Sequence, residues 1–225
     1  MQKKGENMDA LDTAKIKQTA WEKLGGKWSK AIAALLVFIL ISIVIDIPSA
    51  FFEEDSMGEC IWKILEAPFA LGLDIGIYAY FLDLTRNKEL SFKRLVVGFT
   101  NGWGFYFNLV CTQLLMCLFV FLWSLLLIVP GIMKAFSYSM VYFILLDHPE
   151  YSSRQLLRKS SEMMYGHRME LFVLYLRFIP WVLLGIITCG IAFLWVGPYV
   201  TAAFSEFYLQ LKAKKEDVPE VATIA

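Results

Sequence analysis

The chain has 225 residues, 58% of them hydrophobic and 16% aromatic, and only 19% charged. Lysine plus arginine and aspartate plus glutamate number 21 each, so the formal net charge is zero. That balance excludes a nucleic-acid binder, which needs a basic surplus, and the apolar content excludes a disordered chain. The long apolar blocks also speak against a soluble enzyme.

The first thirty residues are polar and carry an amphipathic stretch from Asp9 to Leu24, closed by Gly25-Gly26-Lys27-Trp28. Six apolar spans follow. A membrane crossing needs roughly 20 mostly apolar residues. Span 1 runs from Ala31 to Phe52 and contains Asp46 and Pro48. Span 2, Ile61 to Leu82, carries Lys63, Glu66, Pro68 and Asp74. Span 3, Phe105 to Val129, has no charge; Pro130-Gly131 ends it. Span 4, Ile132 to Leu146, holds only Lys134. The apolar block from Leu171 to Phe204 is too long for one crossing, and Cys189-Gly190 offers a turn. It divides into span 5, Leu171 to Thr188, and span 6, Ile191 to Leu211.

Charge tests this division independently, because lysine and arginine stay on the cytoplasmic side. With the N-terminus inside, every basic residue except Lys63, Lys134 and Arg177 falls on an inner segment. The main outer loop holds Glu53, Glu54, Asp55 and Glu59. Five spans would place Lys212, Lys214 and Lys215 outside, so six spans with both termini cytoplasmic fit better. No cleavable signal peptide is expected. The expected fold is an all-α polytopic bundle forming one membrane domain over 1–225. Residues 1–30 form its amphipathic cytoplasmic N-terminus, 31–211 the bundle and 212–225 a cytoplasmic tail.

The spans suggest a threefold repeat of interfacial helix plus hairpin. Amphipathic stretches precede each odd span: Asp9 to Leu24, Leu90 to Val97 and Ser152 to Met164. A proline, Pro68, Pro130 or Pro198, marks each even span, and Tyr-Phe follows the first two at Tyr80-Phe81 and Tyr142-Phe143. Unit limits are about residues 84 and 150. In the third amphipathic stretch Leu156, Leu157, Met163 and Met164 are expected to face the bilayer surface, with Arg154, Arg158 and Lys159 toward water.

Several strings resemble an uncharacterised bacterial integral-membrane family, domain of unknown function 975. They include Leu24-Gly25-Gly26-Lys27-Trp28, Pro130-Gly131-Ile132-Met133-Lys134-Ala135, Asp147-His148-Pro149-Glu150 and Met164-Tyr165-Gly166-His167. The resemblance covers nearly the whole chain. It implies a multi-span protein of the bacterial plasma membrane with no assigned activity.

Ionisable groups inside a bilayer are costly and mark functional candidates. These are Asp46, Glu66, Asp74, Lys134, Arg177 and Glu206. Lys134 is expected to pair with Asp46 or Glu66, and Arg177 with Asp74 or Glu206. His148 and His167 lack metal-ligand spacing, and no metal or cofactor is expected. Cys111 and Cys117 lie within span 3. Cys60 and Cys189 fall at the outer face, where an oxidising compartment would permit a disulfide, although nothing sets their separation. No phosphate loop, zinc-protease helix or nucleophile elbow occurs, so no enzyme is expected. The expected function is a non-enzymatic membrane scaffold or accessory protein, whose partners are the lipid bilayer and other membrane proteins. The alternative is a small transporter or channel in which Asp74 and Arg177 line a cavity.

Overall fold

The computed structural model describes residues 11–52 and 56–216. The acidic run at Glu53, Glu54 and Asp55, the first ten residues and the end of the tail lie outside the described residues. Among the described residues the chain is helical, with no strand.

Helix α1, Thr13–Leu24, starts at Asp12, whose side chain accepts from the Ala14 and Lys15 N–H groups. This satisfies donors that the helix start leaves open. Its buried stripe is Thr13, Ile16, Ala20 and Leu24, the spacing of one helix face. Helix α2, Trp28–Asp46, is apolar all round and buries only Ala31 and Ala34. Pro48 then sits in a short 3-10 turn, Ile47–Phe51.

Helix α3, Met57–Thr85, has Pro68 inside it. Its buried residues all fall from Gly72 onward. Gly72 and Gly76 let the next segment approach closely. That segment is a 3-10 turn, Phe92–Val96, continuing into α4, Val97–Thr100. A Cβ on Gly76 would lie 1.8 Å from the Leu95 carbonyl oxygen.

Helix α5, Trp103–Leu126, turns back through an extended Leu127 into α6, Ile128–Ser137. Gly131 packs against Ser124 across that hairpin. The chain breaks at Tyr138–Met140 and resumes as α7, Val141–Asp147. Helix α8, Ser153–Met163, opens with a capping box between Ser152 and Gln155. The fifth apolar span forms two helices, α9, Arg168–Leu176, and α10, Ile179–Ile187. A turn with positive φ at Cys189 and Gly190 leads into α11, Phe193–Glu216.

The core lies between the C-terminal halves of α3 and α11 and helix α7. Its large, fully buried members include Tyr80, Phe81, Phe143, Phe207 and Tyr208. Around this centre, α2 and α5 bury few residues, while Leu40, Ile64, Phe107, Leu125 and Ile187 stand exposed. Four stretches are long and apolar enough to cross a membrane: Trp28–Phe51, Trp103–Leu126, Ile128–Asp147 and Arg168–Ile187. Apolar surface on this scale, turned outward, is the mark of a membrane protein. Helices α3 and α11, the second and sixth spans of the sequence reading, are outside this set of four. Both carry ionisable residues and sink their C-terminal halves into the protein core.

One expectation is corrected. The apolar face of α8 does not lie on a bilayer surface: Leu156 and Leu157 are buried, as is Met164 just beyond. They pack against the neighbouring α5, α6 and α7. An amphipathic stripe says that a face is covered, and here protein covers it.

Candidate functional site

Three well-buried carboxylates sit in the C-terminal halves of the central helices α3, α7 and α11. Asp147, the last residue of α7, has a side chain only 8% exposed. Its Oδ2 accepts from Arg86 Nη2 at 2.7 Å, from Lys212 Nζ at 2.7 Å and from Tyr208 Oη at 2.9 Å. Arg86 caps α3 and Tyr208 and Lys212 belong to α11. One oxygen therefore ties together three segments from three parts of the chain. Asp83 accepts from Arg94 Nε at 2.5 Å, with Lys88 3.9 Å away. Glu206 accepts from Lys23 of α1 at 2.5 Å, and Gln210 donates to its other oxygen at 3.0 Å. Buried charges persist only when paired and hydrogen-bonded, and each carboxylate here is.

Sequence reading met Asp147 only within a family string and missed Asp83 and its partners. A signal existed. Tyr78 and Tyr142 each precede a buried aspartate, Asp83 and Asp147, by five residues. The two tyrosine rings stack at 5.4 Å.

The other candidates behave differently. Asp46 stays exposed at the end of α2 and accepts from the Ser49 hydroxyl at 3.0 Å. Glu66 is half-buried and makes no ion pair among the described residues. Lys134 meets neither of them; its ammonium lies over the rings of Trp123 and Tyr138, at 5.3 and 5.9 Å. Such contacts hold a cation without a carboxylate. The expected pairs of Lys134 with Asp46 or Glu66 do not form. Arg177 is exposed and pairs with neither Asp74 nor Glu206, because Lys23 already neutralises Glu206. Asp74 is half-buried, with no hydrogen bond or ion pair among the described residues. Tyr78 follows it by one helical turn, and Tyr142, stacked on Tyr78, donates to Gln113 Oε1.

Arg177 matters through its backbone. Pro180 has no N–H to offer the preceding turn, and the Trp181 N–H goes to the Phe178 carbonyl at 3.0 Å. The Arg177 carbonyl is left open, and Lys17 Nζ of α1 donates to it at 3.2 Å. The same ammonium lies 4.8 Å from the Phe178 ring centre, 5.9 Å from Trp181 and 5.7 Å from Tyr199. Tyr199 in turn donates its hydroxyl to the Lys17 carbonyl at 3.2 Å. Partial burial, and then the neighbouring Arg177 charge, pull the Lys17 pKa below the ordinary lysine value. Lys17 was not singled out in the sequence, where it reads as one basic residue among many.

The two histidines are engaged locally. His148 Nδ1 faces Glu150 Oε1 at 3.1 Å, and His167 Nδ1 faces Glu170 Oε2 at 2.7 Å. All four cysteines are free; Cys60 and Cys189 are not joined.

Among known proteins, no curated protein and no solved structure matches this chain. A family model does, over residues 8–135 and 125–215, which together span the described helices. The chain therefore belongs to the family described as protein of unknown function DUF975.

Proposed function

We propose that the chain is a six-span protein of a bacterial plasma membrane, with both termini cytoplasmic, acting as a non-enzymatic scaffold or accessory protein. Length supports counting α3 and α11 as crossings. At 1.5 Å per residue, their 29 and 24 residues exceed the roughly 20 that a crossing takes. The order of elements supports three units, each a short surface segment, an outer helix and a central helix. The basic residues support the orientation, since Arg86, Arg94, Lys23 and Lys212 gather at one end of the central helices.

The observation that carries the scaffold reading is the Asp147 cluster. Its charged groups are spent on joining segments from three chain regions, and none is left to line a passage. The bilayer and other membrane proteins are the partners this reading implies. One observation favours a small transporter as a second reading: Asp74 is a half-buried carboxylate without a partner among the described residues, beside two stacked tyrosines. Intramembrane carboxylates of that kind serve proton and ion paths elsewhere.

Purified protein in liposomes, loaded with a pH-sensitive dye and assayed for proton and alkali-cation flux, separates the two. The scaffold reading expects the same flux as empty liposomes, for wild type and for Asp74→Asn. Flux above that level in wild type, abolished by Asp74→Asn, overturns it in favour of transport.

A further inference from the structure

An apolar cavity of about 280 Å³ opens between α1, α10 and the start of α11. Its walls include Trp21 of α1, Trp181 and Leu184 of α10, and Ala192, Trp195 and Tyr199 at the α11 end. No charged residue lines it. Two cations stand beside it. The Lys17 ammonium lies 5.9 Å from the Trp181 ring centre and 5.7 Å from that of Tyr199, two rings of the cavity wall. It donates to the Arg177 carbonyl at 3.2 Å, and the Arg177 side chain is exposed. The ion pairs among the described residues include neither cation. Partial burial, and then the Arg177 charge, hold Lys17 below its ordinary pKa. Two like charges therefore sit together with no carboxylate among the described residues to offset them.

We propose that this site binds an anionic phospholipid of the surrounding bilayer, with its phosphate on Lys17 and Arg177 and one acyl chain in the tryptophan-lined cavity. Holding two cations together costs repulsion, which a bound anion removes. Basic residues at a membrane attract anionic lipid, whereas a zwitterionic lipid brings its own ammonium toward the same two charges. The aromatic and aliphatic wall suits a hydrocarbon chain, because apolar surface gains by leaving water. The order of residues gives the ligand a direction. Trp181 and Leu184 follow Arg177 by four and seven residues toward the turn at Cys189-Gly190, which is an outer turn in the six-span arrangement. The head therefore points inward and the chain outward, as in a lipid of the inner leaflet. The rings hold the Lys17 ammonium in place before the lipid arrives, so little side-chain freedom is lost on binding. The proposal rests on the membrane reading and holds equally for a scaffold or a transporter.

The test uses the full chain in phosphatidylcholine vesicles and follows tryptophan fluorescence. Three of the seven tryptophans line the cavity. Phosphatidylglycerol brominated in its acyl chains is titrated in as a contact quencher, and brominated phosphatidylcholine serves as the reference lipid. Vesicles made wholly of the brominated reference lipid report insertion alone, so a failure of the membrane reading shows there as absent quenching. Arg177→Gln removes one head contact; it keeps the backbone carbonyl that Lys17 uses, and the side chain is exposed. Ala192→Phe fills the cavity from its wall. Arg177→Lys keeps the charge, and Lys93→Gln removes a charge from an exposed position elsewhere. Wild type, Arg177→Lys and Lys93→Gln are expected to be quenched by brominated phosphatidylglycerol at lower fractions than by the reference lipid. Arg177→Gln should need roughly fivefold more of it, the loss that one basic residue near anionic lipid implies. Ala192→Phe should lose the preference. A wild type without the preference, or a preference unchanged in Arg177→Gln or in Ala192→Phe, overturns the proposal. So does a loss in Lys93→Gln as large as that in Arg177→Gln, which would mean general attraction to a basic surface.

Discussion

Arg86 and Asp147 lie 61 residues apart in the chain and meet at 2.7 Å, with the Asp147 side chain only 8% exposed. The pair joins the end of α3 to the end of α7, and Lys212 and Tyr208 bring α11 to the same oxygen. Removing one member of a buried ion pair leaves the other charge uncompensated, at a cost of about 3–5 kcal/mol. Asp147→Asn is therefore expected to lower the unfolding free energy by that order, and Arg86→Gln by a comparable amount. The double variant should cost less than the sum by at least about 1 kcal/mol, because the two residues act as one unit. Thermal and denaturant unfolding in detergent measures all three. Additive losses would mean that the contact does not hold the helices together.

Glycine makes a second, sharper contrast. Gly76 faces the Leu95 backbone so closely that an added Cβ would sit 1.8 Å from the carbonyl oxygen, whereas a Cβ on Gly104 meets nothing within 4 Å. Backbone cannot rotate aside as a flexible side chain does, so Gly76→Ala must push the Phe92–Thr100 segment off α3. Gly104→Ala, in the first turn of α5, instead reduces the freedom of the unfolded chain and should stabilise by about 0.5–1 kcal/mol. Melting temperatures of the two variants should move in opposite directions. A Gly76→Ala protein as stable as wild type would show that the segment is not packed as described.

The helices were legible in the sequence because hydrophobic runs and turn residues are local signals. Cys189-Gly190 marks a reversal that the structure contains, whereas the reversal expected at Pro130-Gly131 falls at Leu127, and both residues lie in the first turn of α6. The ion pairs were not legible. Glu206 and Lys23 are 183 residues apart, and nothing local says which basic residue reaches which acid. Lys134 had two acids within reach in the sequence picture, yet aromatic rings hold it. Arg177 attracts notice for its guanidinium, while its carbonyl is what α1 uses, a consequence of Pro180 that no charge count reveals. The stripes on α1 and α8 were legible as covered faces. What covers them is a tertiary fact, and for α8 the answer is protein.

Lys17 is expected to depend on Pro180. The proline leaves the Arg177 carbonyl for the Lys17 ammonium, which three aromatic rings also surround. Lys17→Met should destabilise by about 1–2 kcal/mol, from one charged hydrogen bond and the ring contacts less the cost of desolvation. Pro180→Ala restores an N–H and lets Trp181 compete for the carbonyl, so its effect should shrink in the Lys17→Met background. Effects that simply add would sever the link. The pH dependence has a defined sign. The folded pKa of Lys17 lies below its ordinary 10.5, so the unfolded chain binds the proton more readily. Stability should therefore rise as pH climbs from the folded value toward 10.5, and Lys17→Met should remove that part of the slope.

Cys60, near the start of α3, and Cys189, in the turn before α11, are both exposed and free. In the six-span arrangement both face the outer compartment. Cys111 and Cys117 lie within α5, which in that arrangement is inside the bilayer and out of reach of a water-soluble reagent. In intact cells a membrane-impermeant maleimide should therefore label single-cysteine proteins retaining Cys60 or Cys189. A cysteine-free background carrying Lys93→Cys, an exposed position in the segment after α3, should label only after permeabilisation. The reverse pattern would invert the orientation. Opposite behaviour of Cys60 and Cys189 would place them on different sides and remove one crossing between them, which is the point where a five-span count would re-enter.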